Sequence, residues 1–179
     1  MAVHLVRRRL AFTRERIFDL VLDVERYPRF LPGWLAARVR DRSHGSYRTD
    51  QLVQLRLIRQ HFSSHTTFVR PERIEVRTDP GAIVRRFDLR WEFLPCGGDA
   101  CEVVLACQLD LAVGPLTRLA DTTARDLIES LVHSFQHEAA RLFSPNHAGD
   151  YAAGHVADHV TGRAAGRATG HAADHAAAH

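Results

Sequence analysis

The sequence predicts an α+β fold in which a curved antiparallel sheet wraps around one long C-terminal helix. Three observations carry this expectation. A short strand pattern is followed at once by an amphipathic helical pattern. A run of segments with period-two alternation comes next, divided by turn signals, and an uninterrupted helical pattern then extends to about Phe143. Alternation with one apolar face marks antiparallel strands that lie half on a core and half in water.

At 179 residues, 45% hydrophobic and 25% charged, the chain is long enough for one domain with an appendage. No apolar run approaches the roughly 20 residues of a membrane-spanning helix. The opening MAVHLVRRRL lacks the apolar centre of a signal peptide. Cys96, Cys101 and Cys107 form an odd set without a CxxC pair, so neither a disulfide framework nor a zinc site is expected. These features indicate a reduced, cytoplasmic setting, with peripheral contact at the inner face of a membrane left open. Every basic side chain is arginine, and the net charge is +3. That balance permits contact with acidic lipid or RNA without demanding either, and no DNA partner is expected.

Taken in order, residues 3–10 alternate as a strand, with Val3, Leu5 and Arg7 on one face and His4, Val6 and Arg8 on the other. Thr13 stands as a helix N-cap, and Phe12 and Ile17 occupy the positions that fix the helix entry. Ile17, Leu20, Val21 and Val24 follow helical spacing, while Arg14, Glu15, Arg16, Asp19 and Asp23 fall largely opposite. The stretch Asp23–Trp34 then packs three aromatics, two prolines and a glycine into twelve positions. Pro28 and Pro32 disfavour helical geometry in the residues before them. Yet Val24, Tyr27, Phe30, Leu31 and Trp34 are too apolar for a solvated loop. A short, broken, partly buried segment is expected, either plugging a core or gating a cavity.

Residues 34–42 alternate weakly up to the turn Ser43-His44-Gly45-Ser46. A long run over 47–59 sets Val53, Leu55 and Leu57 against Gln54, Arg56 and Ile58, and Phe62 to Val69 reads as a half-polar strand. Pro71-Glu72-Arg73 turns the chain into a short strand over 74–77, and Asp79-Pro80-Gly81 turns it again. The sharpest alternation follows, with Phe87, Leu89, Trp91 and Phe93 on one face and Arg86, Asp88, Arg90 and Glu92 on the other. After the hairpin at Pro95–Asp99, the residues Cys101, Val103, Leu105, Cys107, Leu109 and Leu111 continue an apolar face.

Gly114-Pro115 opens the last helix, with proline at a favourable first position. Leu116, Leu119, Ala120, Thr123, Leu127, Leu131, Phe135 and Leu142 recur along it, and Asp121 supports Arg125 one turn on. At ~1.5 Å per residue this helix is about 40 Å long, enough to cross a whole sheet. The small residues on its face mean either close packing or room left for a ligand. Two regions follow from this layout, a domain over 1–146 and an Ala/His-rich tail over 147–179, expected to be disordered because alanine buries too little surface to offset ordering.

Candidate chemistry is sparse. In the tail, His155 and His159, and His171, His175 and His179, recur every four residues, a spacing that suits a metal and equally suits low-complexity drift. His133 and His137 lie four apart near Glu129 and Glu138, and read as a solvated helix face without a third ligand. No GxSxG, HExxH or phosphate-cradling glycine loop occurs, so no catalytic residue and no metal site is assigned. Ser63, Ser64, His65, Thr66 and Thr67 either form an ordinary semi-exposed strand or put polar groups into a cavity. Cys101 and Cys107 read as small core residues. Arg38, Arg40, Arg42 and Arg48, with Arg85, Arg86 and Arg90, form either a solvated sheet face or a patch for RNA or phospholipid.

The segment Asp23-Val24-Glu25-Arg26-Tyr27-Pro28-Arg29-Phe30-Leu31-Pro32 resembles the signature of the coenzyme-Q-binding, START-like family. That family belongs to the polyketide cyclase/dehydrase and lipid transport superfamily and includes bacterial relatives named as ribosome association toxins. Pro71-Glu72-Arg73-Ile74, Leu89-Arg90-Trp91-Glu92-Phe93 and Cys101-Glu102-Val103 fall where the family has corresponding segments, so the resemblance spans about residues 3–143. Two departures stand near the expected cavity mouth. Gly33 intervenes before Trp34, where the family places tryptophan directly after the proline, and Pro80-Gly81-Ala82-Ile83 lacks the family's aromatic.

The resemblance implies a helix-grip fold with a hydrophobic tunnel that holds ubiquinone or a related isoprenoid lipid. It implies a chaperone supporting respiratory electron transport and quinone biosynthesis, with no covalent cofactor and no reaction of its own. Tyr27, Phe30, Leu31 and Trp34 would form the gate. Phe87, Leu89, Trp91, Phe93, Leu127, Leu131 and Phe135 would line the wall. Two other readings stay open: a ribosome-associated translation regulator using the arginine-rich sheet face, and an aromatase or cyclase, which needs a buried acid or histidine facing the pocket.

Overall fold

A computed structural model describes residues 3–55, 58–81, 84–111 and 117–144. Strand β1 (Val3–Leu10) leads into helix α1 (Arg14–Leu22) and a 3-10 helix (Val24–Arg29). Six strands follow: β2 (Trp34–Ser43), β3 (Ser46–Leu55), β4 (Ile58–Val69), β5 (Arg73–Thr78), β6 (Val84–Pro95) and β7 (Cys101–Leu111). Helix α2 (Thr117–Phe143) closes the fold. The strands make one antiparallel sheet in the order β1-β7-β6-β5-β4-β3-β2. This is the expected helix-grip arrangement, a curved sheet around the terminal helix.

Local chemistry accounts for the first helix. The Thr13 hydroxyl accepts from the Arg16 backbone N–H at 3.4 Å, capping an orphan donor. Ile17, Phe18, Leu20 and Val21 are buried and form the stripe that α1 presents to the sheet. On β6 the alternation is realised as read, with Phe87, Trp91 and Phe93 buried and Leu89 half-buried on the inner face. Cys101, Val103, Leu105 and Cys107 continue that face on β7. On α2 the stripe is wider than the periodicity indicated. Ile128, Val132 and Ala139 are buried beside Leu131 and Phe135, whereas Leu127 and Leu142 are half-buried at its margins.

Two expectations need correction or restriction, and the division of β1 into two faces is given its direction. The run 47–59 is not one strand, because the chain reverses between β3 and β4 and pairs Leu55 with Ile58. No glycine or proline marks the reversal, and the inner face passes there from odd positions (Thr49, Gln51, Val53) to even ones (Phe62, Ser64, Thr66), a slip that reading 47–59 as one run overlooks; residues 56 and 57 lie outside the described residues. Strand β4 accordingly begins at Ile58, ahead of the Phe62 start read from composition. On β1 the apolar pair Val3 and Leu5 faces outward, each 56% exposed, while the face carrying Val6 and Leu10 turns to the core. Leu116, the side chains of Leu119, Ala120, Asp121 and Thr123, and the 147–179 tail with its histidines lie outside the described residues. Arg125 pairs with Glu129 one turn further on, at 3.4 Å.

Candidate functional site

The Asp23–Trp34 stretch becomes a cap because α1 ends where it can be tied off. Tyrosines satisfy two of the helix's last carbonyls, which have no partner within it. Tyr27 Oη donates to the Val21 carbonyl, and Tyr47 Oη, from β3, donates to the Leu22 carbonyl at 3.0 Å. The chain then winds tightly through Pro28, and the Leu31 N–H returns to the Tyr27 carbonyl at 2.8 Å. Gly33 ends the segment. Its φ is +83°, its carbonyl accepts from the Gln54 N–H at 2.7 Å, and a Cβ there would lie 2.8 Å from the Gln54 carbonyl oxygen. Gly33→Ala therefore meets both a disfavoured backbone region and a backbone clash, and is expected to lower stability by about 3 kcal/mol in a denaturant titration. Gly97→Ala, at φ +80° with nothing within 4 Å, is the control for the conformational part and is expected to cost about 1 kcal/mol.

Beneath this cap, between the inner sheet face and α2, lies a cavity of about 40 Å³. Tyr27, Trp34, Phe87, Leu89, Trp91, Leu131 and Phe135 line it, and these are residues the sequence singled out. Phe135 is the centre of the aromatic wall, with edge-on contacts to Tyr27 at 5.4 Å, Phe30 at 5.2 Å and Trp91 at 5.2 Å. Four singled-out residues are not on the lining. Phe93 lies two positions along β6, buried edge-on against Phe18 of α1 at 5.4 Å. Leu31 is packed into the core at 3% exposure. Phe30 is half-buried against Tyr27 and Phe135, and Leu127 is half-buried against the core.

Sequence reasoning left the rest of the lining unassigned, apart from Thr66, which it placed either on a semi-exposed strand or in a cavity. Val21, Val24, Tyr47, Gln51, Phe62, Thr66, Ile74 and Val76 complete the lining. Among these, Gln51 belongs to a buried network that joins Trp34 of β2 to β3 and β4. Trp34 Nε1 donates to Gln51 Oε1 at 2.8 Å, Gln51 Nε2 donates to Thr49 Oγ1 at 2.9 Å, and the Thr49 and Ser64 hydroxyls lie 2.7 Å apart. The signal was parity, since Thr49 and Gln51 share the strand face of Val53. The Ser63–Thr67 run divides accordingly: Ser64 and Thr66 are buried on the inner face, while His65 and Thr67 are exposed. Burial holds Tyr27 well above its ordinary pKa and pushes Tyr47 up to about 12, against the opposing hydrogen bond from Thr66. Both phenols are therefore neutral donors at physiological pH. None of the described lining residues is an acid or a histidine.

Other titratable groups lie outside the cavity. Burial raises the Cys107 thiol to about 12 and the Cys101 thiol to about 11, which suits inert core residues. His133 and His137 are exposed on α2, and no group of three or more potential metal ligands occurs among the described residues. Glu138, by contrast, is buried, and accepts from Arg141 at 2.8 Å and from Arg26 of the 3-10 helix at 3.3 Å. The arginines of the outer sheet face are largely offset by acids: Arg40 by Asp50, Arg48 by Asp79, Arg86 by Asp88, and Arg90 by Glu75 and Glu92. No helix among the described residues is long and apolar enough to cross a membrane.

With the cavity between a wrapped sheet and the last helix established, comparison with known proteins is decisive. The family described as polyketide cyclase/dehydrase and lipid transport matches residues 10–136. The chain belongs to this family. Over 119 residues it is 32% identical to the ribosome association toxin RatA of Pseudomonas aeruginosa, covering 66% of this chain and 81% of that protein. Among solved structures, a START superfamily protein from Mycobacterium smegmatis superposes with a TM-score of 0.72 at 16% identity, covering 78% of this chain and 98% of that one. The Zhui aromatase/cyclase from Streptomyces sp. R1128 superposes with a TM-score of 0.64 at 14% identity, covering 81% and 98%. Such identities establish the shared fold of the polyketide cyclase and lipid transport family and nothing of the ligand.

Proposed function

We propose that this protein binds ubiquinone or a related isoprenoid lipid between its sheet and α2, and acts as a quinone chaperone supporting respiratory electron transport and quinone biosynthesis. The carrying observation is an aromatic-walled cavity, closed by a short 3-10 segment, whose described lining holds no acid or histidine. A family that includes lipid transport supports the same reading. The closed cavity is about 40 Å³, against roughly 300–1,000 Å³ for sites that enclose a drug-sized ligand. Loading under this reading requires the cap or α2 to move outward, and we take the Asp23–Trp34 stretch as the gate. Protein purified from a quinone-replete host without harsh detergent is expected to release quinone on organic extraction. Absence of any bound lipid, together with no change in fluorescence from Trp34 or Trp91 on titration with ubiquinone in detergent, would sink the proposal.

A second reading, a ribosome-associated translation regulator, is favoured by the 32% identity to RatA. Under it the same preparation cosediments with large ribosomal subunits in a salt-sensitive way, and a clean absence at low salt removes it. The acid-offset arginines of the outer face give this reading less support than the cavity gives the first.

A further inference from the structure

Thr49, Gln51, Ser64 and Thr66 are each at most 6% exposed on the inner face of two neighbouring strands, and Gln51 and Thr66 reach a cavity lined mostly by aliphatic and aromatic side chains. The register sets Thr49 opposite Ser64, between the Tyr47–Thr66 and Gln51–Phe62 pairs that reach the lining. Burying an amide and three hydroxyls is costly unless their hydrogen bonds are made. Their donors and acceptors do not balance. The Gln51 oxygen is taken by the Trp34 indole at 2.8 Å, which fixes the amide and turns its NH₂ toward the hydroxyls. One N–H meets Thr49 at 2.9 Å, but the other reaches Ser64 only at 3.5 Å, the outer limit of a hydrogen bond. Thr49 and Ser64 bring two hydroxyl hydrogens, and the 2.7 Å contact between them uses one. Among the described hydrogen bonds, no acceptor takes the other.

The wall is thus rich in donors, and what completes it is an acceptor oxygen. We infer that the β3–β4 wall is the head-group subsite of the proposed lipid site, on which it rests, and that Gln51, backed by Thr49 and Ser64, selects an uncharged ring bearing carbonyl or ether oxygens. A hydrocarbon would leave the donors unmet. An anion would be buried with no cation among the described lining residues. The ring therefore lies against β3 and β4, and Gln51 is the specificity-determining residue.

The test uses the full chain and three probes of similar length: decylubiquinone, dodecylbenzene and dodecanoate, each quantified by extraction after gel filtration. Wild type is expected to retain the quinone at least about tenfold over the other two, the worth of one or two net hydrogen bonds. Gln51→Leu is expected to reduce that ratio about tenfold. Because this variant also strips Trp34 of its acceptor, Ser64→Ala, which keeps the Trp34–Gln51 bond, serves as the second variant and is expected to reduce the ratio severalfold. Wild-type preference that persists in both variants overturns the inference and leaves the lipid reading standing. Equal wild-type retention of quinone and hydrocarbon overturns it as well, and so does an equal loss of every probe in both variants, which marks a structural role. Retention of no probe by wild type overturns the lipid reading and the subsite with it.

Discussion

Phe135→Ala is expected to lower the stability of the domain by about 4 kcal/mol, from the range for truncating a buried phenylalanine. The ring is 2% exposed and is the hub of the aromatic wall, edge-on to Tyr27, Phe30 and Trp91. Such pairs add about 0.5–1.5 kcal/mol each beyond buried area, although removing one hub does not sum them. The void would join an existing space instead of forming a sealed hole. The three partners are held from elsewhere, Tyr27 by the end of α1 and Trp91 by β6, so they cannot all collapse inward. That argues for the upper half of the range. Guanidinium denaturation followed by tryptophan fluorescence measures it, and a loss below about 1.5 kcal/mol would mean that the wall is loosely packed.

Glu138→Ala is the second large effect. The carboxylate is on α2 with its side chain 5% exposed, and it holds Arg26 and Arg141 together. Removing one member of a buried ion pair costs about 3–5 kcal/mol when the remaining charge is stranded. Here Arg141 is half in water at 51% side-chain exposure, and Arg26 still has Asp23 within 3.9 Å. The expected loss is accordingly about 2–3 kcal/mol, with Glu138→Gln costing roughly half as much because a neutral acceptor remains. The pair also fastens the 3-10 helix to α2. Amide exchange over residues 24–31 should therefore accelerate at least about tenfold in Glu138→Ala, more than the global change requires. Destabilisation with unchanged relative protection of that segment would show that the pair anchors α2 alone.

Much of the fold was legible because it rests on single-chain periodicities. The Thr13 cap, the α1 stripe and the inner face of β6 each follow from spacing within a dozen residues. What failed was information held between strands. The reversal between Leu55 and Ile58 carries no glycine or proline, and its one mark is a switch of the inner face from odd to even positions, so a hairpin reads as one long strand. In the cavity, Tyr27, Trp34, Trp91 and Phe135 were legible because large aromatics on an apolar face have few other places to go. Gln51 was not, because a glutamine in an alternating run is assigned to water by default. Its burial is explained by partners on other strands and by Thr49, above all the Trp34 indole, which comes from the other side of the β2–β3 hairpin. Gly33 is similar: its need for glycine comes from the Gln54 carbonyl, twenty-one positions later in the chain.

The placement of β1 beside β7 bears on how the molecule is assembled. Strand β1 precedes every other described element, yet its partner is the last strand of the sheet; Arg7 meets Glu102 across 95 residues. That pairing cannot form until most of the domain has been synthesised. Contacts this remote in sequence delay folding, because the entropy of closing the loop is lost before the pairing rewards it. In the interval β1 is an unpaired strand carrying Val3 and Leu5, residues that stay exposed even in the finished sheet. In that interval β1 is open to pairing with the wrong strand, and its own Arg7, Arg8 and Arg9 supply the charge that discourages it.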